Sequence, residues 1–170
     1  MRALITGASP GIGGVACLTL AKAALARGQK PMIAACEVRE TDGALALVQE
    51  LRGMGAEARL LTGDLADPAV PARLVSEAVA AFGGLDAVVS NAGITSPAPL
   101  AELELEAWDK VMNINLRGAW LLAKAAYPHL KESRGGMVLI ASMSGMNPHR
   151  GMGSYSASKV GTIILGQQLA

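Results

Sequence analysis

Residues 4–14, LITGASPGIGG, combine a short apolar run with a glycine-rich turn, and three glycine patterns overlap within them. Residues 7–11 match G-x-S-x-G, the turn that presents the nucleophilic serine of a hydrolase. Residues 11–16 match G-x-G-x-x-A, a dinucleotide-binding pattern. Residues 6–13 match T-G-x-x-x-G-x-G. By itself the stretch predicts either a nucleophile at Ser9 or a phosphate-binding loop that contains this serine.

The position of Ser9 favours the phosphate-binding loop. Ser9 follows the first apolar run of the chain, whereas a hydrolase nucleophile normally follows earlier strands and an oxyanion loop. A strand, a glycine turn and a helix N-terminus in succession suit a pyrophosphate, since the helix end offers unpaired N–H groups and a positive dipole.

Composition and charge restrict the classes of partner. The 170 residues are enough for one domain with a real core, and 51% of them are hydrophobic. The net charge is +1 with both signs interspersed, so we expect no nucleic-acid partner and no membrane-binding surface. Because a strand-like run directly follows Met1 and the apolar runs are short, we expect neither a secretory leader nor a membrane span. The two cysteines lie in apolar surroundings, so we expect a cytoplasmic protein without a disulfide.

Short apolar runs alternate with segments of helical period, which predicts repeated strand–helix–strand units. We therefore expect an α/β fold, a doubly wound parallel sheet with helices on both faces. The predicted strands cover residues 3–6, 32–36, 58–62, 85–90 and 137–141. The predicted helices cover residues 12–27, 42–52, 68–82, 104–131 and 154–170. Thr41 and Asp67 are the expected N-caps of the second and third helices, and Pro31 should mark the start of the second strand.

A second motif, YSASK at residues 155–159, lies on the last predicted helix. Tyr155 and Lys159 share one helix face, so the ammonium can favour the phenolate and make the tyrosine a proton donor that works near neutral pH. The same spacing also occurs in solvated surface pairs. Ser142 stands at the end of a predicted strand, at the carboxyl edge where such sheets bind ligands. The two motifs and this serine together indicate a catalytic site.

With these residues together, the chain resembles the short-chain dehydrogenase/reductase family over essentially all of residues 1–170, and it is similar to the family's 3-oxoacyl-acyl-carrier-protein reductases. The segments that carry the resemblance are TGASPGIG at 6–13, GDLAD at 63–67, SNAG at 90–93, NINLRG at 113–118, IASMSG at 140–145 and YSASK at 155–159. The resemblance implies a single Rossmann-like NAD(P)-binding domain. It also implies an NAD(P)(H)-dependent oxidoreductase that interconverts a carbonyl and a secondary alcohol.

The resemblance assigns roles to particular residues. The implied cofactor-binding residues are Gly7, Ser9, Gly11, Ile12, Gly13, Asp64, Leu65, Asn91, Ala92, Gly93, Tyr155 and Lys159. Tyr155 is the implied acid/base, and Lys159 binds the nicotinamide ribose. Ser142 holds the substrate oxygen, and Asn115, rather than Asn113, orders a proton-relay water.

The sequence leaves the choice between NAD and NADP open. Family members often carry an Asp at the end of the second strand for NAD, or an Arg nearby for the 2′-phosphate of NADP. This chain has Glu37 and Arg39 there, and Pro10 where some NADP users carry a basic residue. Glu37 could accept a hydrogen bond from a ribose hydroxyl or be a solvated loop residue. No Cys, His, Asp and Glu cluster has metal-ligand spacing, so no metal is expected.

The resemblance also implies at least two more strands after the last helix. We therefore expect an incomplete domain that lacks the family's last strands, with the fifth strand at an open edge. The expected partners are a small-molecule carbonyl or alcohol and further copies of the chain, in a homodimer or homotetramer formed through residues 104–131 and 154–170. A non-catalytic NAD(P)-binding fragment or pseudo-enzyme is the alternative, and a serine hydrolase that uses Ser9 is a third hypothesis.

Overall fold

The computed structural model describes residues 1–147 and 149–170. The strands are β1 (Arg2–Thr6), β2 (Met32–Glu37), β3 (Glu57–Thr62), β4 (Ala87–Ser90) and β5 (Gly136–Leu139). The helices are α1 (Ile12–Ala26), α2 (Asp42–Gly53), α3 (Val70–Phe82), α4 (Leu105–Met112), α5 (Ala119–Ser133) and α6 (Tyr155–Leu169). These strands form one parallel sheet in the order β3-β2-β1-β4-β5. This order confirms the predicted doubly wound α/β fold.

Helices cover both faces of the sheet, as the apolar strands predict for a parallel sheet. Successive strand residues point to opposite faces. On one face Ile5 and Ile33 pack in a cluster with α1 and α2. On the other face Leu4 and Val88 pack in a cluster with α3 and α5. At the edge of the sheet, by contrast, β5 exposes 55% of Val138, which agrees with the expected open edge.

The strand order places the site at the carboxyl edge between β1 and β4. From β1 the chain winds outward through β2 to β3, and it then crosses back to β4 on the other side of β1. The loops after β1 and β4 therefore diverge to opposite faces and leave a crevice, which is where open α/β sheets bind ligands. β2 begins at Met32, directly after Pro31, as the sequence predicted.

Two helix boundaries differ from the prediction. Helix α3 begins at Val70, not at Pro68, because Asp67 Oδ1 accepts a hydrogen bond from the N–H of Ala69 at 2.9 Å. This bond closes a turn before the helix instead of capping its first turn. Thr41, in contrast, caps α2 as predicted, since its Oγ1 accepts the N–H of Ala44 at 3.2 Å.

The predicted long helix over residues 104–131 is present but not regular. A π-helical segment, Asn113–Gly118, directly follows α4 and directly precedes α5, so the three pieces are consecutive along the chain. A π turn contains an extra residue, and such turns are frequent at functional sites. The segment places Asn115 inside the protein with 2% of its surface exposed. No helix in the described part of the chain is long and apolar enough to cross a membrane.

Candidate functional site

The glycine-rich loop turns sharply after β1 and passes close to the chain that follows β4. Gly7 has φ +63°, and a Cβ at this residue would lie 2.9 Å from Ala92 Cα. A Cβ at Gly13 would lie 2.0 Å from the carbonyl oxygen of Gly7. Gly11, with φ +141°, is the N-cap of α1. Glycine is therefore required in this loop for the close approach of two backbones as well as for positive φ.

The N-terminus of α1 faces the same edge of the sheet. Ile12 begins the helix and is 64% exposed, and Ser9 is half-buried in the turn before it. The first turn of any helix has N–H groups without intrahelical partners, and the helix dipole makes this end positive. The loop thus has the features of an anion-binding site that could hold a pyrophosphate.

Thr6 joins the end of β1 to the end of β4. Its Oγ1 accepts hydrogen bonds from the N–H groups of Asn91 and Ala92, each at 3.1 Å. Asn91 Nδ2 donates to the carbonyl oxygens of Thr6 at 3.1 Å and Gly7 at 2.8 Å. These bonds hold the Asn91–Gly93 segment against the glycine loop. Thr6 was not among the predicted site residues, although a threonine directly before the loop glycine is a signal for this contact.

A cleft of about 330 Å³ opens beside this junction. It is lined by residues from four loops, among them Gly7, Glu37, Asp64, Leu65, Ala92 and Gly93. Leu65 is 6% exposed, and Asp64 Oδ1 accepts the N–H of Ala66 at 2.8 Å. Glu37 Oε1 accepts the N–H of Ser9 at 2.5 Å. The carboxylate is therefore anchored on the glycine loop, and of the two possibilities for Glu37 the structure favours a residue of the cleft.

The side-chain amide of Asn115 is bound on three sides. Its Oδ1 accepts the N–H of Ile94 at 2.9 Å, and its Nδ2 donates to the carbonyl oxygen of Ile94 at 2.9 Å. The second proton of Nδ2 goes to Ser158 Oγ at 3.0 Å. The π segment and α6 are thereby joined to the loop after β4. Of the two asparagines in this segment, Asn115 is buried and Asn113 is half-buried. The water-ordering role that the resemblance implies for Asn115 stays a prediction, and the contacts of Ile94 and Ser158 had no signal in the sequence.

Lys159 and Tyr155 lie one helical turn apart at the start of α6. Lys159 is 4% exposed, its Nζ donates to the carbonyl oxygen of Ile140 at 2.7 Å, and the same Nζ lies 5.7 Å from the centre of the Tyr155 ring. A Cβ at Gly93 would lie 3.4 Å from Asn115 Oδ1 and 3.5 Å from Lys159 Nζ. Gly93 also lines the cleft, so both polar side chains lie next to a residue of the cleft wall.

Burial affects the charge of Lys159. Removing the ammonium from water disfavours its charged form and lowers the pKa of Lys159 below its ordinary value. The bond to the Ile140 carbonyl gives the ammonium one acceptor in compensation. A buried lysine beside a tyrosine ring and next to a cleft residue is a candidate functional group, since perturbed titrations are common at such sites.

Ser142 lies after β5, in the turn that leads toward α6. Its Oγ accepts the N–H of Ser144 at 3.1 Å as the cap of a short 3₁₀ turn, Met143–Gly145. The turn packs on α6, where a Cβ at Gly145 would lie 2.9 Å from the carbonyl oxygen of Lys159. The Ser142 hydroxyl is held as an acceptor and can still donate its own proton.

The two cysteines are also potentially reactive side chains: Cys17 lies on α1, and Cys36 lines the cleft. Burial raises the pKa of the Cys17 thiol to about 12 and that of Cys36 further still, which disfavours a thiolate at either residue. In the structure as described, both cysteines are free thiols. Among the residues outside position 148, no three His, Cys, Asp or Glu side chains converge as metal ligands would.

Comparison with known proteins agrees with this arrangement. The family model described as short chain dehydrogenase matches residues 1–170. Versicolorin reductase 1 of Aspergillus parasiticus is 36% identical over 140 residues, which are 82% of this chain and 50% of the relative. A 3-oxoacyl-[acyl-carrier-protein] reductase of Synechocystis is 35% identical over 162 residues, which are 95% of this chain and 63% of the relative.

Solved structures show the same likeness in three dimensions. A short chain dehydrogenase from Burkholderia cenocepacia, in complex with NADP, has a TM-score of 0.87 and 36% identity to this chain. The match covers 99% of this chain and 66% of that one. The chain therefore spans between half and two thirds of the length of these proteins.

Proposed function

The chain belongs to the short-chain dehydrogenase family, and on that premise we propose that it is an NAD(P)(H)-dependent oxidoreductase that interconverts a carbonyl group and a secondary alcohol. The observation that carries the proposal is the buried Lys159 amine, 5.7 Å from the centre of the Tyr155 ring. Of this pair, Lys159 adjoins Gly93, a residue of the cleft beside the glycine loop. A cofactor site and a proton donor thus share one edge of the sheet.

The residues of the cleft suit a dinucleotide. Gly7 and Gly13 lie where any Cβ would collide with neighbouring backbone, so the loop is built for close approach, and the N-terminus of α1 supplies donors for a pyrophosphate. Asp64 and Leu65 border the same cleft and are proposed to meet the adenine. When bound, the nicotinamide supplies or accepts the hydride of the reaction.

In this proposal Tyr155 and Ser142 bind the substrate oxygen. Their two hydroxyls donate hydrogen bonds to the carbonyl oxygen, and Tyr155 delivers a proton as negative charge develops there. In the opposite direction Tyr155 takes the proton of the alcohol. The Lys159 amine, 5.7 Å from the centre of the Tyr155 ring, supplies a positive charge next to this side chain when it is protonated. Asn115 holds the loop after β4 in place beside Lys159.

Glu37 favours NAD over NADP. Its carboxylate is fixed on the Ser9 N–H at the mouth of the cleft, where it can accept a hydrogen bond from a ribose hydroxyl. A 2′-phosphate at that place would meet a fixed negative charge. We therefore propose NAD(H) as the preferred cofactor; the exposed Arg39 lines the same cleft and is a nearby cation that a 2′-phosphate could meet.

The decisive experiment is the substitution Tyr155→Phe. A 3-oxoacyl thioester is the first test substrate, because one relative is named for reducing such a group, and oxidation of NADH is followed by absorbance. We expect Tyr155→Phe to lower kcat by at least about a hundredfold, the size of a general acid contribution, while the dissociation constant of NADH changes little. Tyr127→Phe is the matched control, since Tyr127 is 60% exposed on α5.

Each outcome discriminates between the hypotheses. Equal losses in the two variants, or turnover that survives in Tyr155→Phe, would contradict the mechanism. NADH binding without turnover of any ketone by the wild-type chain would favour the non-catalytic NAD(P)-binding alternative. Membership of a dehydrogenase family speaks against a hydrolase that uses Ser9.

The same proposal includes a homodimer or homotetramer in the cytoplasm. Apolar side chains stand exposed on the proposed contact helices: Leu105, Trp120, Val160 and Ile164. Helices of this kind commonly pair their apolar faces between copies. Free buried thiols such as Cys17 suit a reducing compartment. Sedimentation equilibrium would test the assembly, and a monomer at high concentration would contradict it.

A further inference from the structure

Two hydroxyl side chains on the inner face of α6 are buried against the π segment. Ser158 is fully buried and Thr162 is 3% exposed. Thr162 Oγ1 donates to the carbonyl oxygen of Ser158 at 2.9 Å and lies 3.5 Å from that of Asn115. These hydroxyls lie between the π segment, which carries Asn115, and the helix turn that carries Tyr155 and Lys159.

Ser158 has a defined hydrogen-bond direction. Its Oγ donates its only proton to the carbonyl oxygen of Tyr155 at 2.7 Å, so toward Asn115 it can act only as an acceptor. A single chain of bonds therefore runs from Asn115 Nδ2 through Ser158 Oγ to the backbone of Tyr155. Hydrogen bonds in such chains polarise and strengthen one another in a buried environment.

This direction also fixes the orientation of the Asn115 amide. Nδ2 uses both of its protons, one on the Ile94 carbonyl and one on Ser158, while Oδ1 accepts the Ile94 N–H. A flipped amide would place its oxygen against two acceptors and its NH₂ group against a donor. Without the hydroxyl of Ser158, one amide proton would be left buried and unpaired, and the amide would lose its attachment to α6.

We propose that Ser158 is a positioning residue of the active site: it joins the amide of Asn115 to the first turn of α6 and so holds the loop after β4 in register with Tyr155. The proposal rests on the oxidoreductase function proposed above. Gly93, which follows β4 and adjoins Ile94, lies against both Asn115 and Lys159. A shift of this loop relative to α6 would therefore displace the cleft from the proton donor, and reaction rates are sensitive to displacements of this kind.

A structural role alone is the competing explanation. Serines inside helices often bond back to a carbonyl in the preceding turn, as Ser158 does with Tyr155. Ser133 on α5 offers a matched comparison, because its Oγ donates to the carbonyl oxygens of Leu85 at 2.6 Å and Leu130 at 3.3 Å. Leu85 precedes β4, at the edge of the sheet opposite the cleft, so Ser133→Ala removes a similar hydroxyl without touching Asn115.

The first measurement needs no turnover. Amide hydrogen exchange at Ile94 reports the bond to Asn115 Oδ1 directly. We expect Ser158→Ala to speed this exchange by about tenfold or more, as the amide loses one of its anchors, and Ser133→Ala to leave it unchanged. Alanine is the best helix former, so Ser158→Ala should keep α6 intact. Unchanged exchange at Ile94 in Ser158→Ala would overturn the proposal.

The second measurement separates positioning from stability. We expect Ser158→Ala to lower kcat by about tenfold with the NADH dissociation constant and KM nearly unchanged. In an Asn115→Ala background the same substitution should cause no additional loss, because Ser158 acts through Asn115. An additive loss, or a loss equal to that in Ser133→Ala, would contradict the proposal. A wild-type chain without turnover would contradict the oxidoreductase function instead, while exchange at Ile94 would still decide the role of Ser158.

Discussion

Single residues in the glycine-rich loop have little freedom to change. Gly13 has the least room for a side chain, because a Cβ there would collide with the carbonyl of Gly7 and the side-chain amide of Asn91. The sequence pattern predicted the loop, and its glycines were assigned by resemblance. The pattern alone left Ser9 as either a nucleophile or a loop residue, because a pattern of glycines does not show which backbone comes close to them.

Gly13→Ala tests the loop. The new Cβ would lie 2.0 Å from Gly7 O and 2.7 Å from Asn91 Nδ2, so the loop must move away from β4. We expect the free energy of unfolding to fall by about 1–3 kcal/mol, as in other overpacked sites, and NADH binding to weaken strongly. Gly53→Ala is the control, because nothing lies near that position and alanine should be neutral or stabilising in α2. Calorimetry and titration would check both, and wild-type affinity in Gly13→Ala would refute the assignment.

The charge of Glu37 is the second test at this scale. Glu37→Gln keeps the side-chain length and removes the negative charge beside the Ser9 N–H. We expect the preference for NADH over NADPH to shrink by about tenfold, equal to 1.4 kcal/mol of binding free energy. Glu40→Gln makes the same change of charge at an exposed residue nearby and should leave the preference unaltered. Titrations with both reduced cofactors measure this, and an unchanged ratio in Glu37→Gln would rule out the NAD proposal.

Elements were predicted well in kind and order but less well in detail. Apolar periodicity located every strand of the sheet and the helices between them to within a few residues. The π segment at Asn113–Gly118 could not be predicted, because its local sequence is compatible with an ordinary helix. It is accommodated by neighbours distant in sequence, such as Leu65, which lies against Gly118. The start of α3 was misplaced because Asp67 closes its own turn.

Thr41→Ala tests a local prediction that the structure confirms. The Thr41 hydroxyl accepts the Ala44 N–H at 3.2 Å and so satisfies a free donor of α2. We expect Thr41→Ala to lower the free energy of unfolding by about 1 kcal/mol. Thr41→Ser, which keeps the hydroxyl, should retain most of that stability. Denaturant titrations of the three proteins would show whether the cap contributes, and equal stabilities would mean that it does not.

At the scale of the whole molecule, one ion pair joins the beginnings of β1 and β4. Asp86 accepts hydrogen bonds from the backbone N–H of Arg2 at 2.8 Å and from its guanidinium at 2.6 Å. The Arg2 guanidinium also donates to the carbonyl of Gly83 at 2.9 Å. The hydrogen bonds from Arg2 hold the pKa of Asp86 below its ordinary value. Distant parts of the chain are thus linked at the edge of the sheet opposite the cleft.

The ion pair predicts a pH dependence of stability. Because the pKa of Asp86 is lowered on folding, its contribution is complete above the unfolded value near 3.8 and is lost as pH falls through the folded value. We expect Asp86→Asn to reduce the free energy of unfolding at pH 7 by about 1–2 kcal/mol, and the difference from wild type to vanish in acid. Glu77→Gln, in the exposed pair with Arg73, should change stability little. A difference from wild type that does not begin to shrink as pH falls below about 3.8 would contradict this origin.

The sequence by itself determined the alternation of strands and helices, the glycine loop after the first strand, and the Tyr155–Lys159 spacing. These features depend on residues a few positions apart, whose periodicity and backbone preferences are local. Only the tertiary structure decided that Glu37 bonds to Ser9, that Thr6 holds Asn91 and that Asn115 bonds to both Ile94 and Ser158. Each of these contacts joins residues more than twenty positions apart, and their meeting depends on the strand order and on the π segment. Local sequence patterns show neither which strands become neighbours in the sheet nor where a helix contains a π turn.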